Sequence, residues 1–184
     1  MPQTTEFKIS ETEIPGLLEI SISSVGDARG YFQEKFQKQK LVAAGFPESF
    51  RIVQQNISYN KEAGVLRGIH AEPWDKYITV TKGKAFGAWV DLRSQSFGKV
   101  YTTIVDESKA VFVPRGVANA YQTLVPDVYY CYLVNAHWNP EGIYKSVNPG
   151  DPGLNISWPI ALDKSIISEK DRNNPKLSEV EAFQ

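Results

Sequence analysis

From residue 53 to about residue 133 the chain is a succession of short runs rich in Val, Ile, Thr, Tyr and Phe, punctuated by Gly, Pro, Asn or Asp. This rhythm constrains the fold more than any other feature. β-Branched and aromatic side chains suit a pleated, half-buried backbone, and breakers every few positions deny a helix the length it needs. Strands are expected at residues 77–81 and 85–92, joined as a hairpin through Lys82-Gly83-Lys84. More follow at 101–105, 110–113, 120–124 and 128–133, with reversals at Pro114-Arg115-Gly116 and Pro126-Asp127. Helix is confined to the margins: about residues 37–44, ended by Gly45, and a short turn at 168–171. After Pro140 a long loop runs through Asn148-Pro149-Gly150-Asp151-Pro152-Gly153 to Trp158-Pro159. The pattern describes an all-β chain closed as a compact barrel with appended ends.

A length of 184 residues suits one domain spanning 1–184, long enough to bury a core without disulfides or a structural metal. Hydrophobic residues make up 42% and charged residues 22%, which excludes a disordered or fibrous chain. Twenty Lys and Arg against 21 Asp and Glu leave a formal charge of -1, so no overall basic field exists to hold a nucleic acid or an anionic membrane. Any bound anion must meet a local cluster. Cys131 is the single cysteine, no apolar run approaches the length of a membrane span, and the start of the chain is polar, so the cytoplasm is the expected compartment.

Only two histidines are present, His70 and His137. A metal held in a barrel of this kind needs two or three imidazoles with a carboxylate, and His70-Ala71-Glu72 supplies one of each, so no metal site is expected. Around His70, strict alternation along residues 65–70 puts Leu66, Gly68 and His70 on one face and Arg67 with Ile69 on the other. An imidazole near Glu72, Asp75 and Lys76 suits acid/base chemistry beside a developing anion. The ordinary alternative is a strand end with a hydrogen-bonded histidine and a solvated Asp75–Lys76 pair. Asp27-Ala28-Arg29-Gly30-Tyr31-Phe32-Gln33-Glu34 offers a guanidinium fork for phosphate and a ring for stacking, or simply a turn into an edge strand. Gln54 and Asn56 share a strand face and can bind polar ligand groups. In Tyr129-Tyr130-Cys131-Tyr132, Tyr130 and Tyr132 share a face, and a buried phenol is either core or a proton donor. Ser168-Glu169-Lys170-Asp171 reads as a solvated charged stretch, or as an acid folded back to orient a histidine.

These segments together resemble the dTDP-4-dehydrorhamnose 3,5-epimerases, enzymes of the dTDP-L-rhamnose pathway with a cupin fold. The resemblance rests on Asp27-Ala28-Arg29-Gly30 with Phe32 and Glu34, Gln54-Gln55-Asn56-Ile57-Ser58, Val65-Leu66-Arg67-Gly68-Ile69-His70, Lys76, Val90-Asp91-Leu92-Arg93, Phe112-Val113-Pro114-Arg115-Gly116, Tyr132, Trp158-Pro159 and Ser168-Glu169-Lys170-Asp171. These run in order from about Ile14 to Leu177, and His70-Ala71-Glu72-Pro73-Trp74-Asp75-Lys76-Tyr77 is similar to a branch found in some Gram-positive bacteria.

The resemblance implies a double-stranded β-helix of the cupin or jelly-roll kind, with short helices in the terminal extensions, and a cofactor-free epimerase acting on a dTDP-linked 4-ketosugar. It implies His70 as base, Asp171 as its orienter, Tyr132 as proton donor and Lys76 at the enolate oxygen. Arg29, Phe32, Glu34, Gln54, Asn56 and Arg67 match substrate-holding positions, the Arg29 segment being supplied by the partner in a homodimer that exchanges N-terminal segments. Asn119 and Trp138 stand at substrate-facing positions where many members carry His and Tyr, which bears on the balance of C3 against C5 inversion. The alternatives are a monoepimerase of another nucleotide-linked 4-ketosugar and a non-catalytic sugar-nucleotide-binding cupin.

Overall fold

The computed structural model describes residues 5–183. Fourteen strands and two short helices follow one another as β1 (Phe7–Glu11), β2 (Leu18–Ile22), β3 (Val25–Asp27), β4 (Gly30–Phe32), α1 (Lys38–Ala43), β5 (Gln54–Asn60), β6 (Val65–Ala71), β7 (Lys76–Lys82), β8 (Lys84–Asp91), β9 (Val100–Asp106), β10 (Lys109–Val113), β11 (Val117–Thr123), β12 (Val128–Val134), β13 (Lys145–Ser146), β14 (Ile166–Ile167) and α2 (Glu169–Arg172). One sheet has the order β1-β2-β10-β7-β12-β5 and the other β13-β6-β11-β8-β9, with β14 added in parallel to β6. β3 and β4 form a separate two-stranded arm. The chain is the cupin-like β-sandwich expected for its family resemblance. No helix among the described residues is long and apolar enough to cross a membrane.

Alternation explains both the core and its covers. Ile78 and Val80 of β7, Trp89 of β8, Val111 and Val113 of β10, and Val117 and Tyr121 of β11 point between the sheets and pack with Val105, Val128 and Tyr130. The intervening residues Tyr77, Ala110 and Phe112 point outward, where Leu41 of α1, Phe46 and Phe50 bury them. Outward residues of the second sheet, Ile69, Ala88, Val90, Ala118 and Ala120, are covered by Val147, Leu154 and the C-terminal segment through Trp158 and Phe183. The terminal extensions therefore seal the outer faces of the sandwich. Helix α1 ends before Gly45 as the sequence suggests, the glycine standing at φ 104°, and its start is capped by the Gln37 side chain, which accepts from the Lys40 N–H.

Three expectations need correction. β7 and β8 do not form a hairpin: β7 pairs with β10 and β12, whereas β8 pairs with β9 and β11. Gly83, at φ 95°, is the corner where the chain passes from one sheet to the other, and a Cβ there would stand 2.8 Å from Val128. Strands also begin well before residue 53. Leu18-Glu19-Ile20-Ser21-Ile22 alternates in the manner of a strand, and Leu18, Ile20 and Ile22 are buried.

The third correction concerns β6. Its register against β11 pairs His70 with Asn119 and Arg67 with Tyr121, so Gly68 and Ile69 together face Ala120 alone. This bulge resets the alternation, and Arg67 and His70 line the same cavity. Gly68 has φ 127°, and a Cβ on it would lie 2.5 Å from the Ala120 Cβ, so the bulge needs glycine for both dihedral and space.

Candidate active site

At one end of the space between the sheets the apolar core gives way to a polar cavity of about 550 Å³. His70 of β6 enters it from one sheet, and Lys76 of β7 and Tyr132 of β12 enter from the other. Asp171 is buried, and its Oδ1 lies 2.7 Å from His70 Nε2. It reaches that place because Ser168 caps α2: the Ser168 hydroxyl accepts from the Asp171 N–H at 3.1 Å, and the single turn of helix aims the carboxylate at β6. Asp171 Oδ2 also accepts from the Gly68 N–H at 3.3 Å, so the bulge and the helix are fastened together beside the histidine.

Burial opposes ionisation of Asp171, but the hydrogen bonds from His70, Gly68 and Ser168, together with the histidine's charge, outweigh it and hold its pKa below the ordinary carboxylate value. An ionised carboxylate only accepts, so the imidazole presents an Nε2–H to it, and in the neutral ring Nδ1 is then the nitrogen that carries the lone pair. The expected solvated reading of 168–171 fails at Asp171 for this reason.

Lys76 is 5% exposed and pairs with Glu72, while its ammonium stands 5.9 Å from the centre of the Tyr132 ring. The expected Asp75–Lys76 pair is overturned. Asp75 instead accepts from the Arg115 N–H and the Asn135 amide, both at 2.8 Å, and so ties down the turns at this end of the barrel. Burial and the Glu72 carboxylate raise the pKa of Tyr132 above that of a free phenol. Tyr130, on the same strand face, is buried in the cavity wall: it stacks on Tyr121 with ring centres 3.8 Å apart and donates to Asn119 Oδ1 at 3.1 Å. Asn119 therefore joins the cavity from β11 with its oxygen already engaged. Asn60 Oδ1 accepts from Arg67 Nε at 3.1 Å and from the Tyr121 hydroxyl at 3.2 Å, which holds the guanidinium toward the cavity.

A second lobe of about 620 Å³ shares His70, Glu72 and Tyr132 with the first. Gln54 and Asn56 line it from β5, hydrogen-bonded to each other at 2.9 Å, and Trp138 closes its rim from the loop after β12. On β5 the usual pattern is inverted, for the polar Gln54, Asn56 and Ser58 point inward while Ile57 and Tyr59 are exposed. An inward polar face on an edge strand signals a binding surface rather than core. Sequence reasoning missed Glu72 as the lysine's partner, Asn60 as the anchor of Arg67, and Lys170, which borders both lobes from α2.

Three expected site residues lie elsewhere. Arg29 and Phe32 are on the β3–β4 arm, the arginine side chain 89% exposed beside Asp27 and Phe32 65% exposed. Glu34 follows the arm and is engaged by Lys40 and Thr5 of its own chain. None of the three borders either lobe.

The chain is similar to known proteins along nearly its whole length. Residues 11–179 match the family described as dTDP-4-dehydrorhamnose 3,5-epimerase. The chain is 52% identical over 179 residues to the RmlC homolog of Streptococcus pyogenes serotype M6, covering 94% of this chain and 90% of that one. It is 35% identical over 183 residues to the dTDP-4-dehydrorhamnose 3,5-epimerase of Methanothermobacter thermautotrophicus, covering 95% and 96%. It superposes on RmlC from Streptococcus suis, solved in complex with dTDP-D-xylose, with a TM-score of 0.90 and 48% identity over 96% of this chain and 94% of that one.

Proposed function

Because the chain belongs to the dTDP-4-dehydrorhamnose 3,5-epimerase family, we propose that it converts dTDP-4-dehydro-6-deoxy-D-glucose to dTDP-4-dehydro-L-rhamnose. The observation that carries this reading is the placement of a carboxylate-oriented histidine and a phenol on opposing sheets of one cavity, with a buried ammonium on the strand next to that of the phenol. In a 4-ketosugar the hydrogens at C3 and C5 both flank the carbonyl. Removal of either proton by His70 Nδ1 sends the C–H electron pair into a new C=C bond, and the carbonyl π pair moves onto the C4 oxygen. Lys76 stabilises that oxygen, and the reaction needs no electron acceptor.

Tyr132 then delivers a proton to the opposite face of the ring, the carbonyl re-forms, and the carbon is inverted. The histidinium and phenolate return to their starting states through solvent. Gln54, Asn56, Arg67, Asn119 and Trp138 hold the sugar and its diphosphate. Arg29, Phe32 and Glu34 act across a homodimer interface, where the exposed arm enters the partner's cavity. The whole of residues 1–184 serves this one site as a single domain. A nucleotide-linked substrate and a free, buried Cys131 favour the cytoplasm.

Proton NMR of the dTDP-4-ketosugar with the protein in D2O tests the reading. Exchange at both C3 and C5 is the expected result. Exchange at one carbon would replace it with a monoepimerase, and no exchange would leave a sugar-nucleotide-binding protein.

A further inference from the structure

We propose that Glu72 is a positioning residue of this site: its carboxylate pins the Lys76 ammonium in place and balances its charge, so that Tyr132 beside it remains a phenol able to give up a proton at the right step. The inference rests on the epimerase reading and adds to it a carboxylate that neither touches the reacting carbons nor orients the histidine.

The geometry comes first. Glu72 lies just past the end of β6 and Lys76 opens β7, so the turn between them brings the two side chains together in the wall of the first lobe, with Glu72 also bordering the second. The lysine side chain is 6% exposed and that of Glu72 is 19% exposed. An ammonium withdrawn this far from water is costly unless a carboxylate accompanies it, and among the described residues no other carboxylate pairs with it. Glu72 is itself held through its backbone, its carbonyl accepting from the Gly116 N–H. The pair is therefore part of the barrel rather than a surface contact.

The ammonium stands 5.9 Å from the Tyr132 ring. A positive charge at that distance favours the phenolate and so lowers the pH at which the acid is lost. Glu72 cancels this pull, in line with its contribution to the raised pKa of Tyr132 alongside burial. Other ionisable groups face the same space: Arg67 and His70 from β6, Tyr121 from β11, Tyr130 from β12, Lys170 and Asp171 from α2, and Tyr144 and Lys145 from the loop and β13. His70 and Asp171 pair with each other, Arg67 favours the phenolate, and burial first and the Glu72 carboxylate second favour the phenol, so Glu72 is the carboxylate that adds to the effect of burial. One strand, β5, contributes only uncharged Gln54, Asn56 and Ser58.

The test is a titration of Tyr132 in protein labelled with 13C at the tyrosine ζ carbon, the resonance identified by its loss in Tyr132→Phe. In Glu72→Gln the ionisation of Tyr132 should begin roughly one pH unit lower than in the unaltered protein. The alkaline fall in kcat should move down by the same interval, with KM and dTDP affinity within about twofold. Glu72→Asp should restore most of the shift. Glu72→Gln combined with Lys76→Met removes both charges, keeps the pair neutral if the single variant folds poorly, and should return the Tyr132 titration toward its original position.

An unchanged Tyr132 titration in Glu72→Gln, or a loss of kcat that is the same at every pH, would overturn the proposal. The titration needs no turnover. A protein whose Tyr132 responds to Glu72 yet catalyses no exchange at C3 or C5 would defeat the epimerase reading and leave the charge balance standing.

Discussion

The cavity between the sheets and the β3–β4 arm are held in opposite ways. In the cavity each functional side chain is fixed by a partner from a different element: Asp171 of α2 on His70 of β6, Glu72 on Lys76, Asn60 of β5 on Arg67. On the arm Arg29 is paired with its near neighbour Asp27, and Phe32 presents its ring to solvent. An exposed phenylalanine beside an exposed arginine is poorly suited to a lone chain and well suited to a surface that another molecule covers. On the proposed reading, the groups that move protons lie within one chain's own barrel, while the arm residues proposed to hold the nucleotide project away from it. Chemistry and ligand capture are separable here, and substitutions in the two regions should fail differently.

The largest separation is expected at His70. His70→Asn should lower turnover by roughly a hundredfold or more while leaving dTDP affinity and melting temperature close to those of the unaltered protein, because it deletes the base but keeps a polar side chain. Wild-type exchange rates at C3 and C5 in D2O would remove His70 from the role. Asp171→Ala should cost less, about ten- to thirtyfold, since the imidazole stays but loses its orienting partner. Steady-state rates of the two variants measured side by side check that order, and an Asp171→Ala loss equal to that of His70→Asn would mean the pair acts as one unit. Tyr132→Phe should split the reaction rather than abolish it: isotope exchange at the face served by His70 survives better than net inversion. Equal loss of both, read from the same NMR series, would assign Tyr132 to positioning.

Local chemistry was legible where one element decides it. The strand runs, the helix ended by Gly45 and the turn at Pro114-Arg115-Gly116 all follow from residues acting on their own backbone. What escaped depends on the partner strand. Lys82-Gly83-Lys84 has the composition of a hairpin turn, yet nothing in those residues says whether the next strand returns beside the first or crosses to the facing sheet, as it does. The face of Arg67 was misjudged because alternation assumes one residue opposite one, and the bulge sets Gly68 and Ile69 against Ala120. The glycine ahead of the histidine was the available signal, since a glycine inside a strand often marks a bulge or a close backbone approach. Asp171 lies 101 positions from His70, so its approach was implied by family resemblance rather than by spacing. Glu72 is visible in the sequence as a metal-ligand type and as a carboxylate near the histidine, but its role as counter-ion follows only from the burial of Lys76.

The contrast between cavity and arm is broken or sharpened most directly by dividing the two lesions between chains, an experiment with a smaller expected amplitude. Arg29→Ala should weaken binding of the dTDP-sugar without altering thermal stability, because the side chain is 89% exposed and its pairing with Asp27 lies in solvent. His70→Asn removes the base and leaves the arm intact. If the arm serves the partner's cavity, a dimer of one chain of each kind has one cavity with both Arg29 and His70 sound, and one with both lost. Free exchange at equal amounts makes half of the dimers mixed, so about a quarter of all cavities are complete and activity should recover to roughly a quarter of the original. An arm that completes its own chain's cavity gives a different outcome, because every cavity then carries one lesion whatever the pairing. Activity no higher than the average of the two parent variants, with mixed dimers verified by native mass spectrometry, would return Arg29 to its own chain or remove it from the site.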